Sequence, residues 1–376
     1  MSIKTQTYLE LLKVCLLDEP KVSEKLIHLS KGHIDWIDLL NFASKQGVIG
    51  IYWRGIELLF KSPIPLNKPN DDEVMEWWGE VSDIRKRNEE VFKKSAFVSN
   101  TFKKEGFDNC ILKGQGNALM YPDPYLRTPG DIDIWLKGSK KQIITYIHHY
   151  FPKEKGSRLH IHFPIFNNLS VEVHYTPRIL DNPIANKHLQ QYFKDVQDKQ
   201  MNNKLELPVS KSIHFPTPDF NIILQLTHVF RHFIYESITL KHIVDFYYVL
   251  KTYFDWIHQE NFCGKNPDQL TTFLKQIKIY RFTQVIMFIM QDGLGIENKY
   301  LFAKKNERIG KLFLDSIIEE NGTYGLKSHD KLRKKNFSIT IDRYKMKMKR
   351  AMYLIQFFPK ETMWGLFYRI KKSLSI

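Results

Sequence analysis

Apolar positions recur at helical spacing through most of the first hundred residues. Tyr8 to Leu17 forms a short amphipathic stretch. Ile37, Leu40, Phe42, Val48, Ile51, Trp53, Ile56 and Leu59 carry the same period from Asp35 to Phe60. Pro63, Pro65 and Pro69 interrupt it, and Asn70-Asp71-Asp72 offers an N-cap to the next helix. From Asp72 to Lys104 there is no proline and only one glycine, Gly79. Val74, Trp77, Trp78, Val81, Ile84, Val91, Phe97 and Val98 predict one long helix there, with Gly106 as its stop. The Trp77-Trp78 pair reads as core and edge packing.

The texture changes at Phe107. Short β-rich segments separated by Gly, Pro and Asn predict strands over Cys110–Lys113, Asp131–Leu136, Leu159–Phe166 and Ser170–Tyr175. Helices are expected over Gln115–Tyr121 and Lys140–Phe151. Asn167-Asn168 reads as a two-residue hairpin turn, which pairs Phe163 with Glu172. After Pro177 the period is helical again, over Asp219–Tyr235, Thr239–Trp256, Gln269–Gln291 and Glu307–Glu319. The expected organisation is a helical region at 1–106, an α/β core at 107–180, a helical domain at 181–330 and a basic helical segment at 331–376.

Composition narrows the classes. With 43% apolar and 26% charged residues in 376, wholesale disorder is excluded. The longest apolar run, Val285 to Met290, is far shorter than a membrane-spanning helix needs. The first residues carry no signal-peptide pattern, and Cys15, Cys110 and Cys263 lie far apart, so a cytoplasmic, reducing compartment is expected. Of the net charge of +15, +11 falls after Asp330. That end, with large apolar residues among its bases, reads as helices that pack on the body or rest on an anionic membrane face or nucleic acid.

The candidate chemistry sits between Ile111 and Leu136. A strand runs into Lys113-Gly114-Gln115-Gly116 and then a helix, a junction where backbone N–H groups can approach phosphate. The third glycine of a dinucleotide fingerprint and the GK[ST] of a P-loop are both missing. Downstream, Asp131 and Asp133 alternate with Ile132 and Ile134, so both carboxylates point to one face of a strand. Glu172 stands between Val171 and Val173 in a later strand. Carboxylates held together repel unless a cation lies between them, and oxygen ligands suit Mg²⁺ or Mn²⁺.

Gly114, the Asp131-Ile132-Asp133 strand and Glu172 together resemble the polymerase-β-type nucleotidyltransferase superfamily. More closely, "LKG…YPDPYLRTPGDIDIWL…VEVHY", with "LTHVFRHF…ITLKHIVDFYYVL" downstream, resembles an uncharacterised nucleotidyltransferase-like bacterial family, often met in surface-polysaccharide contexts. The resemblance runs from about Phe107 to Leu250. It implies an α+β fold, in which a small mixed sheet forms a nucleotidyltransferase core between N-terminal and C-terminal helical regions. It also implies a nucleoside triphosphate substrate and two divalent ions held by Asp131, Asp133 and Glu172. A hydroxyl acceptor (sugar, small molecule, protein or RNA end) would attack, and pyrophosphate would leave. Gln115 departs from the superfamily pattern, which often has Gly or Ser there. Fifteen residues separate it from Asp131, slightly more than usual. Lys113 and Arg127 are therefore candidates for phosphate contact alongside Gly114, Gln115 and Gly116, with His174 on the parity of Glu172.

His228, His232, Lys241 and Asp245 are candidates for lining the cleft from the helical domain. Each also has an ordinary structural reading, and for Lys241 and Asp245 it is an i, i+4 ion pair. His228 and His232 lack the glutamate of a zinc-protease motif. The assumed turn puts His160 and His162 on the face opposite the carboxylates. The alternative functional class is a catalytically weak module that binds nucleotides or polyanions on the same fold.

Overall fold

The computed structural model describes residues 3–17, 34–61, 67–236, 238–260, 262–320 and 348–374. The basic stretch 331–347, Pro63 and Pro65 lie outside the described residues, as do the side chains from 369 onward.

The N-terminal helices are α1 (Ile3–Cys15), α2 (Trp36–Gln46), α3 (Ile49–Lys61) and α4 (Asp71–Lys104). The continuous period predicted from Asp35 to Phe60 is broken once. Gly47 takes φ +68 and returns its N–H to Ala43 and Ser44, which ends α2. The predicted cap of α4 is a capping box, Asn70 with Glu73.

Four strands form a mixed sheet in the order β1-β2-β4-β3: β1 (Asn109–Ile111), β2 (Ile132–Leu136), β3 (His160–His162) and β4 (Val171–His174). β2 and β4 run parallel, with Asp133 opposite Glu172; the outer pairs are antiparallel. The helix expected over Gln115–Tyr121 is a single turn, α5 (Gln115–Ala118), while α6 (Lys140–Tyr150) ends one residue before its predicted stop, with Phe151 as its C-cap.

The hairpin register differs from expectation by one residue. Glu172 pairs with His162, not Phe163, and His174 pairs with His160. Pro164 is the physical reason. It has no N–H to donate, so the ladder stops after Phe163 and a wide loop replaces the two-residue turn. A one-residue slip exchanges faces, so His160 and His162 share the face of Glu172 rather than opposing it.

After the sheet come α7 (Pro183–Asp195), α8 (Gln197–Asn202) and a hairpin of β5 (Lys204–Leu207) with β6 (Lys211–His214) that the apolar period did not predict. Then α9 (Pro218–Tyr235) packs along α10 (Leu240–Ile257). The helix expected over Gln269–Gln291 is divided into α11 (Pro267–Gln276) and α12 (Tyr280–Phe288). Lys278 takes φ +63 at the break, and Ile277 and Ile279 on either side are both buried, which offsets that strain. α13 (Glu307–Glu320) follows, then a helical stretch at 348–355 and α14 (Pro359–Leu374).

Two apolar clusters hold the chain. One gathers Trp36, Tyr52 and Trp77 with α9–α13 and with Leu354, Phe357 and Phe358, so the chain's two ends share a core. The other lies under the sheet, between Phe92 and Phe102 of α4, Ile132 and Ile134 of β2, and Ile143 and Ile147 of α6. α4 contributes to both, which fixes the sheet against the helical body. Trp77 is buried and Trp78 half-exposed, as core and edge packing requires.

Candidate active site

β2 and β4 bring Asp133 and Glu172 side by side at equal register on neighbouring parallel strands. Asp133 is buried, and Lys113 Nζ lies 2.8 Å from its Oδ2. His174, fully buried, places Nε2 2.8 Å from Asp133 Oδ1 and 3.5 Å from Glu172 Oε2. His160 Nδ1 is 2.9 Å from Glu172 Oε2. One ligand atom each from Asp133, Glu172 and His174 lies within 4.8 Å of the others. Burial pushes the Asp133 carboxyl up, but Lys113 and His174 outweigh it and hold the group well below the usual carboxylate range. Glu172 is likewise held low, by His160 and His174 against burial and Asp133. Asp131 lies one residue before β2, exposed, outside that close cluster.

The glycine turn is shaped by contact. Gly114 has φ +59 with Asp131 O beneath it, and a Cβ on Gly116 would overlap the Phe215 ring. The Gln115 side chain is buried and donates from Nε2 to Asn88 Oδ1 at 3.2 Å, while its Oε1, an acceptor, has no partner among the described residues, so phosphate contact here falls to backbone N–H groups.

Arg127 is committed to Asp245, although Asp131 also acts on it electrostatically. Its guanidinium is buried and bidentate to Asp245, Nε to Oδ1 at 2.7 Å and Nη2 to Oδ2 at 2.8 Å. Tyr121 adds its hydroxyl to Asp245 Oδ1 at 2.6 Å. The Tyr121–Arg127 loop is pinned further by Asn88, which donates to the carbonyls of Tyr125 and Arg127, and by an Arg85–Asp123 pair at 2.6 Å. Arg127 and Asp245 thus latch the loop before Asp131 onto α10. The partner of Asp245 is Arg127 rather than Lys241. Burial and the Arg127 charge lower the Lys241 ammonium to about 8, against the pull of Asp245 and Asp131.

One residue at the site was not singled out in the sequence. Arg178, four residues past His174, is buried beside the acids and acts electrostatically on Asp133. It contacts His228 Nδ1 through Nη2, and its Nε has no partner among the described residues. His242 joins His228 and His232 so that one ring nitrogen of each lies within 4.8 Å of the others. Burial, then Arg178 and Lys113, push the His228 imidazole well below its usual range. Burial and His232 push His242 down to about 3. Lys113, paired with Asp133, also acts on both rings, so α9 and α10 present these histidines toward the acid site. An arginine just after the acid-bearing strand, in Tyr175-Thr176-Pro177-Arg178, was the available signal for Arg178.

No curated protein matches the sequence. Among solved structures, a crystal structure of an antigenic nucleotidyltransferase-like protein from Paracoccidioides brasiliensis aligns with a TM-score of 0.34 and 12% identity, over 59% of this chain and 96% of that one. The profile of a family described as uncharacterised nucleotidyltransferase matches residues 32–263, a span from before α2 to beyond α10 that holds every site residue above. Since that span is more than half of the 376 residues, the chain belongs to this nucleotidyltransferase family.

Proposed function

We propose that the chain is a metal-dependent nucleotidyltransferase that moves a nucleoside monophosphate from a nucleoside triphosphate to a hydroxyl acceptor. The observation that carries this reading is the pairing of Asp133 with Glu172 across adjacent parallel strands, two residues beyond Asp131. The donor set fits Mg²⁺ or Mn²⁺, since Asp133 and Glu172 offer hard oxygens and Asp131 precedes them on the same strand parity. Asp131, Asp133 and Glu172 would hold the metal, whose chemistry is to offset charge on the attacking and departing oxygens. Lys113 and His174 supply the positive charge against Asp133 here.

The residues of the chain have separable tasks in this reading. Glu172 accepts the proton of the attacking hydroxyl, and His174 orients both carboxylates from Nε2. Gly114 lets the turn backbone approach phosphate. Lys113 is the nearest cation for a triphosphate once it exchanges Asp133 for the nucleotide. Arg127 and Asp245 hold the loop and touch no substrate.

The test is incubation with each labelled nucleoside triphosphate and Mg²⁺ or Mn²⁺, alone and with a cell extract, reading pyrophosphate and labelled product. Turnover with one triphosphate supports the proposal. Lys113 on Asp133 is also what a nucleotide-binding module without turnover would keep. Triphosphate binding with no pyrophosphate under any condition would favour that second reading.

No helix among the described residues is long and apolar enough to cross a membrane. α14 leaves Met363, Trp364 and Phe367 exposed, with Lys360 exposed at its start. That face suits peripheral contact with an anionic bilayer, where each base near the surface contributes about 1 kcal/mol. Salt-sensitive binding to anionic vesicles, with a blue shift of tryptophan fluorescence lost in Trp364→Ser, is the expected result.

A further inference from the structure

His228 and His232 on α9 and His242 on α10 meet as a set that resembles a transition-metal site. Their hydrogen bonds assign a different chemistry. A guanidinium only donates, so the contact from Arg178 Nη2 makes His228 Nδ1 an acceptor. A backbone N–H only donates, so Thr239 N, 3.2 Å away, makes His242 Nδ1 an acceptor as well. A neutral imidazole that accepts at Nδ1 carries its proton on Nε2. Both rings are held neutral by burial and by neighbouring cations. His232 is the exception, with Nδ1 2.7 Å from Glu236 Oε2, the carboxylate arrangement that leaves Nε2 free to bind a metal. One free lone pair does not make a three-histidine metal site. Two Nε2–H groups instead make donors.

The surroundings agree with donors. Arg178 is buried, its Nε has no partner, and no carboxylate lies within ion-pair distance of it among the described residues. Lys113 acts on both rings. A buried cation with an unused donor, beside two neutral imidazoles that also donate, is matched by an anion with several acceptor oxygens. We propose that His228, His242 and Arg178 form a subsite for phosphate oxygens, not a metal site. The subsite rests on the nucleotidyltransferase reading only for which molecule brings the phosphate: the polyphosphate tail of the nucleotide or a phosphate on the acceptor.

The experiment titrates the full-length protein, with ¹⁵N-labelled histidine and without divalent ions, using inorganic tripolyphosphate, a sugar monophosphate and Zn²⁺ in turn. Calorimetry and imidazole ¹⁵N shifts are read together. Phosphate binding that perturbs the His228 and His242 Nε2–H resonances is expected. His242→Leu should weaken it about tenfold, equal to about 1.4 kcal/mol. His242→Gln, which keeps a side-chain donor, should stay within about threefold of the parent, and matched melting temperatures show that both variants fold. Tripolyphosphate alone binding assigns the subsite to the nucleotide, and the monophosphate alone assigns it to the acceptor. Binding of neither overturns the proposal. So does binding indifferent to His242→Leu, or tight Zn²⁺ uptake that shifts all three rings. Phosphate binding without any pyrophosphate release would sink the catalytic reading and leave this one standing.

Discussion

Two buried ionic arrangements lie on either side of the loop that leads into β2, and they differ in completeness. At Arg127–Asp245 both carboxylate oxygens meet the guanidinium, and Tyr121 takes a further lone pair. At Asp133, Glu172 and Arg178 the groups are less satisfied, although Asp133 and Arg178 lie as deep. Among the described residues Arg178 Nε and His174 Nδ1 have no partner, and Glu172 is half-buried at the rim. A closed pair fixes position, because every polar atom is used. An open cluster costs stability unless something arrives to complete it, and that is the signature of a binding site. Arg127 and Arg178 are both buried arginines near acids, and only their partners separate a latch from a site.

The largest expected effect is on the latch. Arg127→Met leaves Asp245 buried and unpaired, and should cost about 3–5 kcal/mol of stability in denaturant unfolding. Adding Asp245→Leu should recover much of it. Turnover per folded molecule should change little, and a specific loss of activity in folded Arg127→Met would place Arg127 at the substrate after all.

Asp133→Asn should act the other way, lowering metal-dependent pyrophosphate release at least about a hundredfold, or about 2.7 kcal/mol of barrier. Like-charge repulsion alone would predict a more stable variant. The structure predicts a less stable one, because Lys113 and His174 favour the charged carboxylate. Unchanged turnover would remove Asp133 from the site.

The smallest effect tests the residue between the two arrangements. Lys241 feels Arg127, Asp245, Asp131 and Lys113, and its ammonium is lowered from 10.5 to about 8. The unfolded chain therefore binds the extra proton between those values. Stability should rise as pH climbs from about 8 to 10.5, and below about 8 the full penalty remains. Lys241→Met should flatten that rise and stabilise the protein at pH 7 by about 1 kcal/mol. A melting curve that keeps its slope in the variant would assign the dependence to another group.

Local order in the chain was enough for α4 with its Asn70 cap, for α9 and α10, and for the placing of Asp133 and Glu172 in strands, because period, capping and parity depend on near neighbours. The same neighbours misled at three places. Gly47 broke one helix, Lys278 in a left-handed conformation broke another, and Pro164 moved the hairpin by one residue. Gly47 and Pro164 acted through backbone conformation and a missing donor, and Lys278 through the burial of Ile277 and Ile279 on either side, none of which apolar spacing carries. The β5–β6 hairpin was missed because, of its strand residues, just Leu207 and Ile213 are buried in the core, too few to set an alternating pattern.

Partnership was decided in three dimensions. Arg127 carries the same charge whether it grips a phosphate or Asp245, and 118 positions separate it from the carboxylate it chose. Arg178 became a site residue because His228, 50 residues away, folded against it. His160 moved to the carboxylate face through a register that the loop, not the strand, dictated. Residue type sets which charges and donors exist. Long-range packing sets which of them are left unpaired, because each is neutralised only by groups that meet it in the folded chain.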